Sequence, residues 1–277
     1  MTWVYLDGAF LPADEAKLPA ADAGRLYGRG LFETFRARRG SVFLLDRHLA
    51  RLRAGAPALG IEPPAELARL SAVVRELAER CGLEDARMRF TVTAGPEGGR
   101  PSLLLQARPA SDYPKEMYER GIRVVVASTR RNETSPLARI KSVNYLDNLL
   151  AREEGRRAGA DEALLLNTQG LLAEASTANL FIARDGGLTT PPVSDGALPG
   201  ITRDAVLELV RDAGIAAREA SLTLDDLRQA NEAFLTNAIA GVLPVVSVEK
   251  REVGSGKPGE LTRRVRLLYE EAAGPLI

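Results

Sequence analysis

The stretch RIKSVNYLDN, residues 139 to 148, decides how the whole sequence is interpreted, because it places a lysine in a chain that uses arginine almost everywhere else. Lysine occurs only at positions 17, 115, 141, 250 and 257, and all other basic residues are arginines. Only a lysine amine can lose its proton near neutral pH and attack a carbonyl carbon. Lys141 follows a predicted strand and loop and precedes a predicted helix. It is therefore a candidate nucleophile, and an ordinary surface lysine is the alternative.

Length and composition limit the class of protein. The chain has 277 residues, 45% hydrophobic and 27% charged, which is enough for one large or two ordinary domains. The formal net charge is zero, so no basic excess is present for nucleic acid or an acidic membrane surface. One cysteine and one histidine exclude an intrachain disulfide and thiolate or multi-histidine metal sites. We expect a cytoplasmic protein that acts on small molecules, without nucleic acid, membrane or bound metal as a partner.

Hydrophobic periodicity predicts an α+β fold with many antiparallel strands per helix. The stretch ARPASDYP, residues 107 to 114, is polar and contains two prolines, so we interpret it as a linker. The predicted domains are therefore residues 1–107 and 117–277, joined by residues 108–116. Strands are predicted near WVYLDG, LFETFRARRG, ARMRFTVTAG and PSLLLQARP, and hairpins in EALLLNTQGLLAEAS and ANLFIARDGGLTT.

The segment LPGIT, residues 198 to 202, predicts a helix start that can bind an anion. Gly200 allows close backbone approach, and the N–H groups of Ile201 and Thr202 have no partner within a helix. The segment lacks the GxxxxGK[ST] spacing of a nucleotide P-loop. A plain helix cap is the alternative interpretation.

Glu174 lies in LLAEASTANLF, an otherwise apolar and small-residue hairpin. A carboxylate there needs a partner, because an unpaired buried charge is very costly. The partner is either one of the many arginines or a protonated ring nitrogen of a cofactor. Pyridoxal phosphate needs three groups in its binding site: an amine for its aldehyde, an anion pocket for its phosphate and a carboxylate for its ring nitrogen. Lys141, LPGIT and Glu174 are candidates for these groups.

From LDGAF to LPVVSVE the sequence resembles the fold-type IV pyridoxal-phosphate enzymes, the class IV aminotransferases. The motifs that carry the resemblance are GRLYGRGLFETFR, HLARL, KSVNYL, AEASTANLF, LPGITRDA and FLTNAIAGVLPV. This family includes branched-chain and D-amino-acid aminotransferases, aminodeoxychorismate lyases and R-selective amine transaminases. The resemblance implies a small N-terminal α/β domain, a larger C-terminal pseudo-barrel domain, pyridoxal 5'-phosphate as cofactor and a homodimer.

The resemblance also implies roles for individual residues. Lys141 would form an aldimine with the cofactor and carry the proton at the substrate carbon, and Glu174 would hold the pyridine nitrogen protonated. Arg51 in HLARL would reach the phosphate, Tyr145 would bind the ring oxygen and Leu198 would pack on the ring face. The other implied cofactor contacts are Gly200, Ile201, Thr202, Asn237 and Ala238.

Several arginines are candidates for binding the substrate carboxylate. Arg89 in ARMRFTV aligns with an arginine of branched-chain aminotransferases, and Arg87 lies two residues earlier on the same strand face. Glu33 and Arg36 are further candidates. His48 is predicted to be structural or exposed, because no group nearby completes an acid–base pair with it.

The motifs point to more than one subfamily. Ala238 stands where many aminotransferases of the family have a phosphate-binding threonine, and the Asn-Ala pair resembles the lyases. KSVNYL and LPGITRDAVLELV are closest to the branched-chain aminotransferases. We therefore predict an aminotransferase that moves an amino group between an amino acid or amine and a 2-oxo acid, with aminodeoxychorismate lyase as the alternative. Intact Lys141, Glu174 and LPGIT argue against a third class, a non-enzymatic binding protein.

Overall fold

The computed structural model describes residues 2–110 and 113–274, and the chain divides into two compact units. The first unit comprises Met1–Ser111 and Ile140–Asn144, and the second comprises Asp112–Arg139 and Tyr145–Ile277. The sequence predicted one continuous second domain, residues 117–277. In the structure, Ile140–Asn144 belongs to the first unit. The predicted linker, 108–116, includes residues 111 and 112, which lie outside the described residues.

The first unit is built on an antiparallel sheet of six strands within the described residues, with the spatial order 2-1-6-5-3-4. The strands are β1 (Trp3–Leu6), β2 (Ala9–Pro12), β3 (Gly30–Arg38), β4 (Ser41–Val42), β5 (Asp85–Thr93) and β6 (Ser102–Pro109). The helices are α1 (Ala23–Tyr27), α2 (Leu45–Gly55) and α3 (Leu70–Arg80), with 3-10 turns at Ala56–Leu59 and Ala65–Arg69.

The alternation of side chains along β5 gives this sheet an apolar face and a polar face. Met88, Phe90 and Val92 are buried and belong to the hydrophobic core, to which α2 and α3 also contribute. Arg87 and Arg89 lie on the opposite face and are only half-buried. The spacing in ARMRFTV thus correctly placed these two arginines on one face.

The second unit is built on a sheet of nine strands in the described part of the chain, in the order 12-11-10-13-14-7-8-9, with strand 15 on strand 14. This sheet curls into a half barrel. The strands are β7 (Ile122–Arg131), β8 (Glu162–Asn167), β9 (Leu172–Ala175), β10 (Asn179–Arg184), β11 (Gly187–Thr190), β12 (Ala217–Glu219), β13 (Glu232–Asn237), β14 (Gly241–Val248) and β15 (Arg251–Glu252). The helices are α4 (Lys115–Arg120), α5 (Leu146–Arg157), α6 (Ile201–Asp212), α7 (Leu224–Arg228) and α8 (Glu260–Ala273), with 3-10 turns at Pro136–Arg139 and Val193–Asp195.

Strand β8 lies deep in the second unit, and every one of its residues is buried. It pairs in parallel with β7 and antiparallel with β9. Its apolar middle, LLL, packs into the sheet core, whereas its two ends carry the polar residues Glu162 and Asn167. Because buried polar groups need partners, the turns next to these two ends are held by side-chain hydrogen bonds.

The predicted α+β class is confirmed, because antiparallel sheets dominate both units and helices cover them. Among the described helices, none has the length and apolar character that crossing a bilayer would require.

Candidate active site

Lys141 is held in the first unit by strand-like pairing with the start of β3. The Phe32 N–H donates to the Lys141 carbonyl at 2.9 Å, and the Val143 N–H donates to the Gly30 carbonyl at 2.9 Å. Residue 142 thereby forms an antiparallel bridge with Leu31. Lys141 is half-buried, whereas the other four lysines are exposed. The prediction that Lys141 lies where two elements meet, and not on a solvated helix face, is confirmed.

Asn144 fixes the segment that carries Lys141, a role for which no local pattern provided a signal. Its Nδ2 donates to the Gly28 carbonyl at 2.7 Å and to the Ser142 hydroxyl at 2.8 Å. Gly28 has a φ of 68°, and a Cβ there would come within 2.2 Å of Asn144 Oδ1. Glycine is therefore required at this close approach.

On the polar face of the first sheet, the Phe32 ring contacts two cations, Arg89 and Lys141. The Arg89 guanidinium lies 3.7 Å from the centroid of the Phe32 ring, and Lys141 Nζ lies 4.6 Å from the same centroid. Aromatic faces attract cations at such distances. Arg36, predicted as a substrate contact, instead donates from Nε to Asp85 Oδ1 at 2.7 Å.

Glu33, His48 and Arg51 form a buried cluster on the apolar face of the same sheet. His48 Nδ1 lies 2.7 Å from Glu33 Oε2, and Arg51 donates to both carboxylate oxygens at 2.8 and 2.6 Å. Burial alone would raise the pKa of Glu33, but the charge of Arg51 and hydrogen bonds from His48 and Arg51 lower it to about 2.

This cluster changes two sequence-based expectations. His48 is only 2% exposed, and the prediction that nothing nearby pairs with it was wrong, because Glu33 is its partner. Glu33 has no exposed surface and lies on the face opposite to Arg87 and Arg89, so its placement does not support contact with a substrate. Arg51 remains a predicted phosphate ligand, now with Glu33 holding its guanidinium.

In the second unit, Glu174 is buried in β9 and has defined partners. The Leu198 N–H donates to its Oε2 at 2.9 Å, and Arg131 Nη2 lies 3.3 Å from its Oε1. Arg131 also donates to the carbonyls of Gly196 and Ala138 at 3.2 and 3.0 Å. The arginine partner that the sequence left open is therefore Arg131, which could not be chosen from among so many arginines by pattern alone.

The start of α6 is an open helix end, as LPGIT predicted. Gly200 is the N-cap residue and its carbonyl accepts from the Asp204 N–H at 2.9 Å, while no side chain of the described residues caps this helix. A Cβ on Gly200 would lie 1.9 Å from Asn179 Oδ1. Asn179 in turn donates to the Leu198 carbonyl at 2.9 Å. The backbone of LPGIT is thus shaped by Asn179, a residue that the sequence analysis did not single out.

Two further predicted cofactor contacts lie at the ends of elements of the second unit, Tyr145 as the N-cap residue of α5 and Asn237 as the last residue of β13. The Tyr145 hydroxyl donates to the Ser176 carbonyl at 2.9 Å. Asn237 accepts from the Ile239 and Ala240 N–H groups at 2.9 and 2.8 Å, so its side chain closes the turn that contains Ala238.

The chain belongs to the class IV amino-transferase family, whose sequence model matches residues 30–248. Its relatives include a putative branched-chain-amino-acid aminotransferase of Methanocaldococcus jannaschii, 37% identical, with 97% of this chain and 95% of the relative covered. An aminodeoxychorismate lyase of Bacillus subtilis is 30% identical, with 97% and 94% covered.

Solved structures of branched-chain amino acid aminotransferases match the fold. The Escherichia coli enzyme matches with a TM-score of 0.90 and 30% identity, covering 96% of this chain and 92% of that one. Another enzyme of this kind, solved with pyridoxamine 5'-phosphate, matches with a TM-score of 0.91 and 31% identity, covering 99% and 94%. The predicted family and the fold-type IV architecture are confirmed.

Proposed function

We propose that this aminotransferase binds pyridoxal 5'-phosphate and moves the amino group of a branched-chain amino acid to a 2-oxo acid. The observation that carries the proposal is Lys141, a half-buried amine in a chain whose other four lysines are exposed, fixed by backbone pairing to β3. The branched-chain aminotransferases among its relatives and among the matching structures support the substrate class.

The residues present fit this cofactor chemically. Lys141 offers an amine for the cofactor aldehyde, and Glu174 offers a buried carboxylate for a protonated ring nitrogen. The uncapped start of α6 offers backbone N–H groups for a phosphate. The backbone at Gly200 leaves no room for a Cβ, as expected where a close approach has to be kept.

Each residue then has a defined task. Lys141 would hold the cofactor covalently and afterwards move the proton at the substrate Cα. Glu174 would keep the ring nitrogen protonated, with Arg131 holding its other oxygen. When bound, the cofactor supplies a ring that takes up the electron pair left at the substrate carbon. We assign the phosphate to Arg51, Ile201 and Thr202 and to the turn of Asn237 and Ala238, the ring oxygen to Tyr145 and the ring face to Leu198.

Arg89 is the strongest candidate for the substrate carboxylate. It shares the Phe32 ring with Lys141, so a carboxylate bound by its guanidinium would bring the neighbouring Cα toward the amine. Arg87, on the same face, is a secondary candidate.

A homodimer is also part of the proposal. Helix α5 presents Leu146, Leu149 and Leu150 at helical spacing, and these side chains are 66%, 53% and 53% exposed. Exposed apolar stripes of this kind are typical of surfaces that a second copy covers. The solution mass measured by light scattering tests this, and a monomer at micromolar concentration would contradict it.

The decisive experiment is the visible absorption spectrum of the purified protein with pyridoxal phosphate, before and after L-leucine, L-glutamate, D-alanine or an R-amine is added without any oxo acid. We expect a cofactor band that L-leucine converts to the pyridoxamine form. Conversion by D-alanine or the amine alone would replace the proposed substrate. Lys141→Ala should abolish the covalent band, whereas Lys115→Ala, at an exposed position, should keep it. An active Lys141→Ala enzyme would refute the assignment.

Aminodeoxychorismate lyase is the second candidate. The Asn237-Ala238 pair and the similarity to the Bacillus subtilis lyase favour it. A lyase would release pyruvate from aminodeoxychorismate and form no stable pyridoxamine. A cofactor band that no amino donor converts would therefore favour this reaction.

A further inference from the structure

Glu162 is a buried carboxylate that has no role in the function proposed above. It is the first residue of β8 and is 6% exposed. It accepts from the Ala163 N–H at 2.7 Å, from the Ser176 hydroxyl at 2.5 Å and from the Thr177 hydroxyl at 2.7 Å. Two of these three donors belong to the same turn, so this carboxylate holds a specific piece of backbone.

That turn joins β9 to β10 and lies between two residues of the candidate site. Glu174 precedes it and Asn179 follows it. The Ala175 N–H donates to the Ala178 carbonyl at 2.7 Å, which closes the turn, and the Ser176 N–H donates to the Ala163 carbonyl at 2.9 Å. The carboxylate of Glu162 and the backbone of its neighbour thus anchor the turn to the start of β8.

The Ser176 carbonyl connects the anchored turn to the start of α5 by two hydrogen bonds. It accepts from the Tyr145 hydroxyl at 2.9 Å and from Asn148 Nδ2 at 2.9 Å. Asn148 is 2% exposed and Ser176 has no exposed surface. Because Glu162 holds the Ser176 hydroxyl and the Ala163 carbonyl holds the Ser176 N–H, the hydroxyl of Tyr145 has a fixed acceptor in the Ser176 carbonyl.

Thr177 extends the same network toward the turn after β13. Its hydroxyl donates to Glu162 at 2.7 Å. Thr177 also interacts with the buried Tyr113 and partly offsets the rise in the pKa of Tyr113 that burial causes. The Tyr113 oxygen accepts from Asn237 Nδ2 at 3.1 Å. Glu162 therefore binds the turn that follows Glu174 directly, and its partner Thr177 interacts with Tyr113, the acceptor of Asn237 Nδ2.

We propose that Glu162 is a positioning residue of the cofactor site. By holding the hydroxyls of Ser176 and Thr177, it sets the position of the Tyr145 hydroxyl and of the strand end that carries Glu174. This inference rests on the proposed function, because that function assigns Tyr145 and Glu174 to the cofactor.

A carboxylate suits this task better than the amide of the same shape. Three donors converge on Glu162, and an ionised carboxylate has acceptor sites for all of them. A glutamine would turn its NH₂ group toward one of the donors, and that donor would be left buried without an acceptor. Glu162→Gln therefore keeps the volume and removes one of the three hydrogen bonds that anchor the turn.

Glu133 provides a matched control in the same unit. It is also 6% exposed and accepts from the Thr168 N–H, the Thr168 hydroxyl and Gln169 Nε2 at 3.0, 2.6 and 3.3 Å. Its turn joins β8 to β9 and carries no proposed cofactor contact. Glu133→Gln should therefore lower the melting temperature without changing the bound cofactor.

The test compares the two variants in the holoenzyme by cofactor affinity and by the absorption maximum and pH midpoint of the bound cofactor. Glu162→Gln is expected to weaken cofactor binding about tenfold, in line with the loss of one charge-assisted hydrogen bond, and to shift the pH midpoint. Glu133→Gln should leave all three quantities at wild-type values.

A double-mutant cycle with Tyr145→Phe identifies the route of the effect. If Glu162 acts through Tyr145, Glu162→Gln shifts the pH midpoint much less in the Tyr145→Phe background than in wild type. An unchanged shift in that background would overturn the route through Tyr145. If Glu162→Gln does not fold, Thr177→Val removes one donor with little change of shape and should show the same changes in smaller size.

Failure of the inference and failure of the proposed function are distinguishable. Wild-type protein that binds and converts the cofactor, together with a Glu162→Gln variant that differs from Glu133→Gln in none of the three quantities, would overturn the positioning role alone. Wild-type protein without a cofactor band would overturn the proposed function itself, and the inference with it.

Discussion

Arg131 and Glu174 form an ion pair inside the second unit, with Nη2 of the arginine 3.3 Å from Oε1 of the carboxylate. Both side chains are largely buried, at 16% and 6% exposure. Removing one partner from such a pair leaves an uncompensated buried charge, which is much more costly than the pair is favourable.

Replacing Arg131 by methionine should therefore destabilise the protein and weaken cofactor binding together. The expected loss is about 3 kcal/mol in the free energy of unfolding, because the buried carboxylate of Glu174 loses the positive charge of Arg131. Urea unfolding and cofactor titration measure the two effects. Arg130→Met is the control, since Arg130 is exposed. Equal behaviour of both variants would contradict the importance of the pair.

Replacing Gly200 by alanine should damage the phosphate end of the site. The new Cβ would lie 1.9 Å from Asn179 Oδ1, so either Asn179 or the start of α6 has to move. We expect cofactor affinity to fall about tenfold and stability to fall by about 1 to 3 kcal/mol, as for other overpacked sites. Gly187→Ala is the matched control, because its Cβ would have no neighbour closer than 3.5 Å. Wild-type cofactor affinity in Gly200→Ala would show that the helix start does not hold the phosphate.

Replacing Arg89 by methionine should raise the KM for the amino acid about tenfold and change kcat less, as expected when a carboxylate contact is lost. Arg87→Met should have a smaller effect, because Arg89 is the arginine that shares the Phe32 ring with Lys141. Steady-state kinetics of both variants with one amino acid measure the difference. A larger effect at Arg87 would reverse the assignment.

The low pKa of Glu33 predicts a stability loss in acid. Its folded pKa of about 2 lies below the ordinary value of 4.5, so its contribution is fully present above pH 4.5 and is lost as the pH falls toward 2. The contribution is on the order of 3 kcal/mol. Glu33→Gln should therefore be less stable than wild type at pH 7 and should lose less stability on acidification.

Urea unfolding at pH 7, 4 and 3 measures that contribution. The control is Glu76→Gln, which removes an exposed carboxylate paired with Arg80 and should hardly change the pH dependence. Parallel stability curves for wild type and Glu33→Gln would mean that the cluster of Glu33, His48 and Arg51 does not depend on the charge of the carboxylate.

Much of the fold followed from local patterns. The alternation in ARMRFTV and PSLLLQARP predicted β5 and β6 closely, and the glycine in LPGIT marked the start of α6. Short elements were missed, among them α1, α4 and β2. Elements of four to six residues contain too few side chains to establish a period, and tertiary contacts decide their conformation.

Site residues of a rare type could be predicted from the sequence, whereas individual arginines, which are common in this chain, could not be distinguished. Lys141 stood out because lysine is scarce, and Glu174 because its surroundings are apolar. Arg131 could not be separated from the other arginines, and Glu33 was misjudged because β3 buries it on the face away from Arg89. The partner of a buried charge is set by strand register over long sequence distances, which a local pattern does not contain.

The contrast between Lys141 and the four exposed lysines makes the protein suitable for chemical footprinting. A reagent that modifies amines should label positions 17, 115, 250 and 257 quickly and to a similar extent with or without cofactor. Those four positions serve as an internal calibration within each peptide map. The degree of labelling at position 141 then reports directly what fraction of the molecules carries a cofactor on that amine.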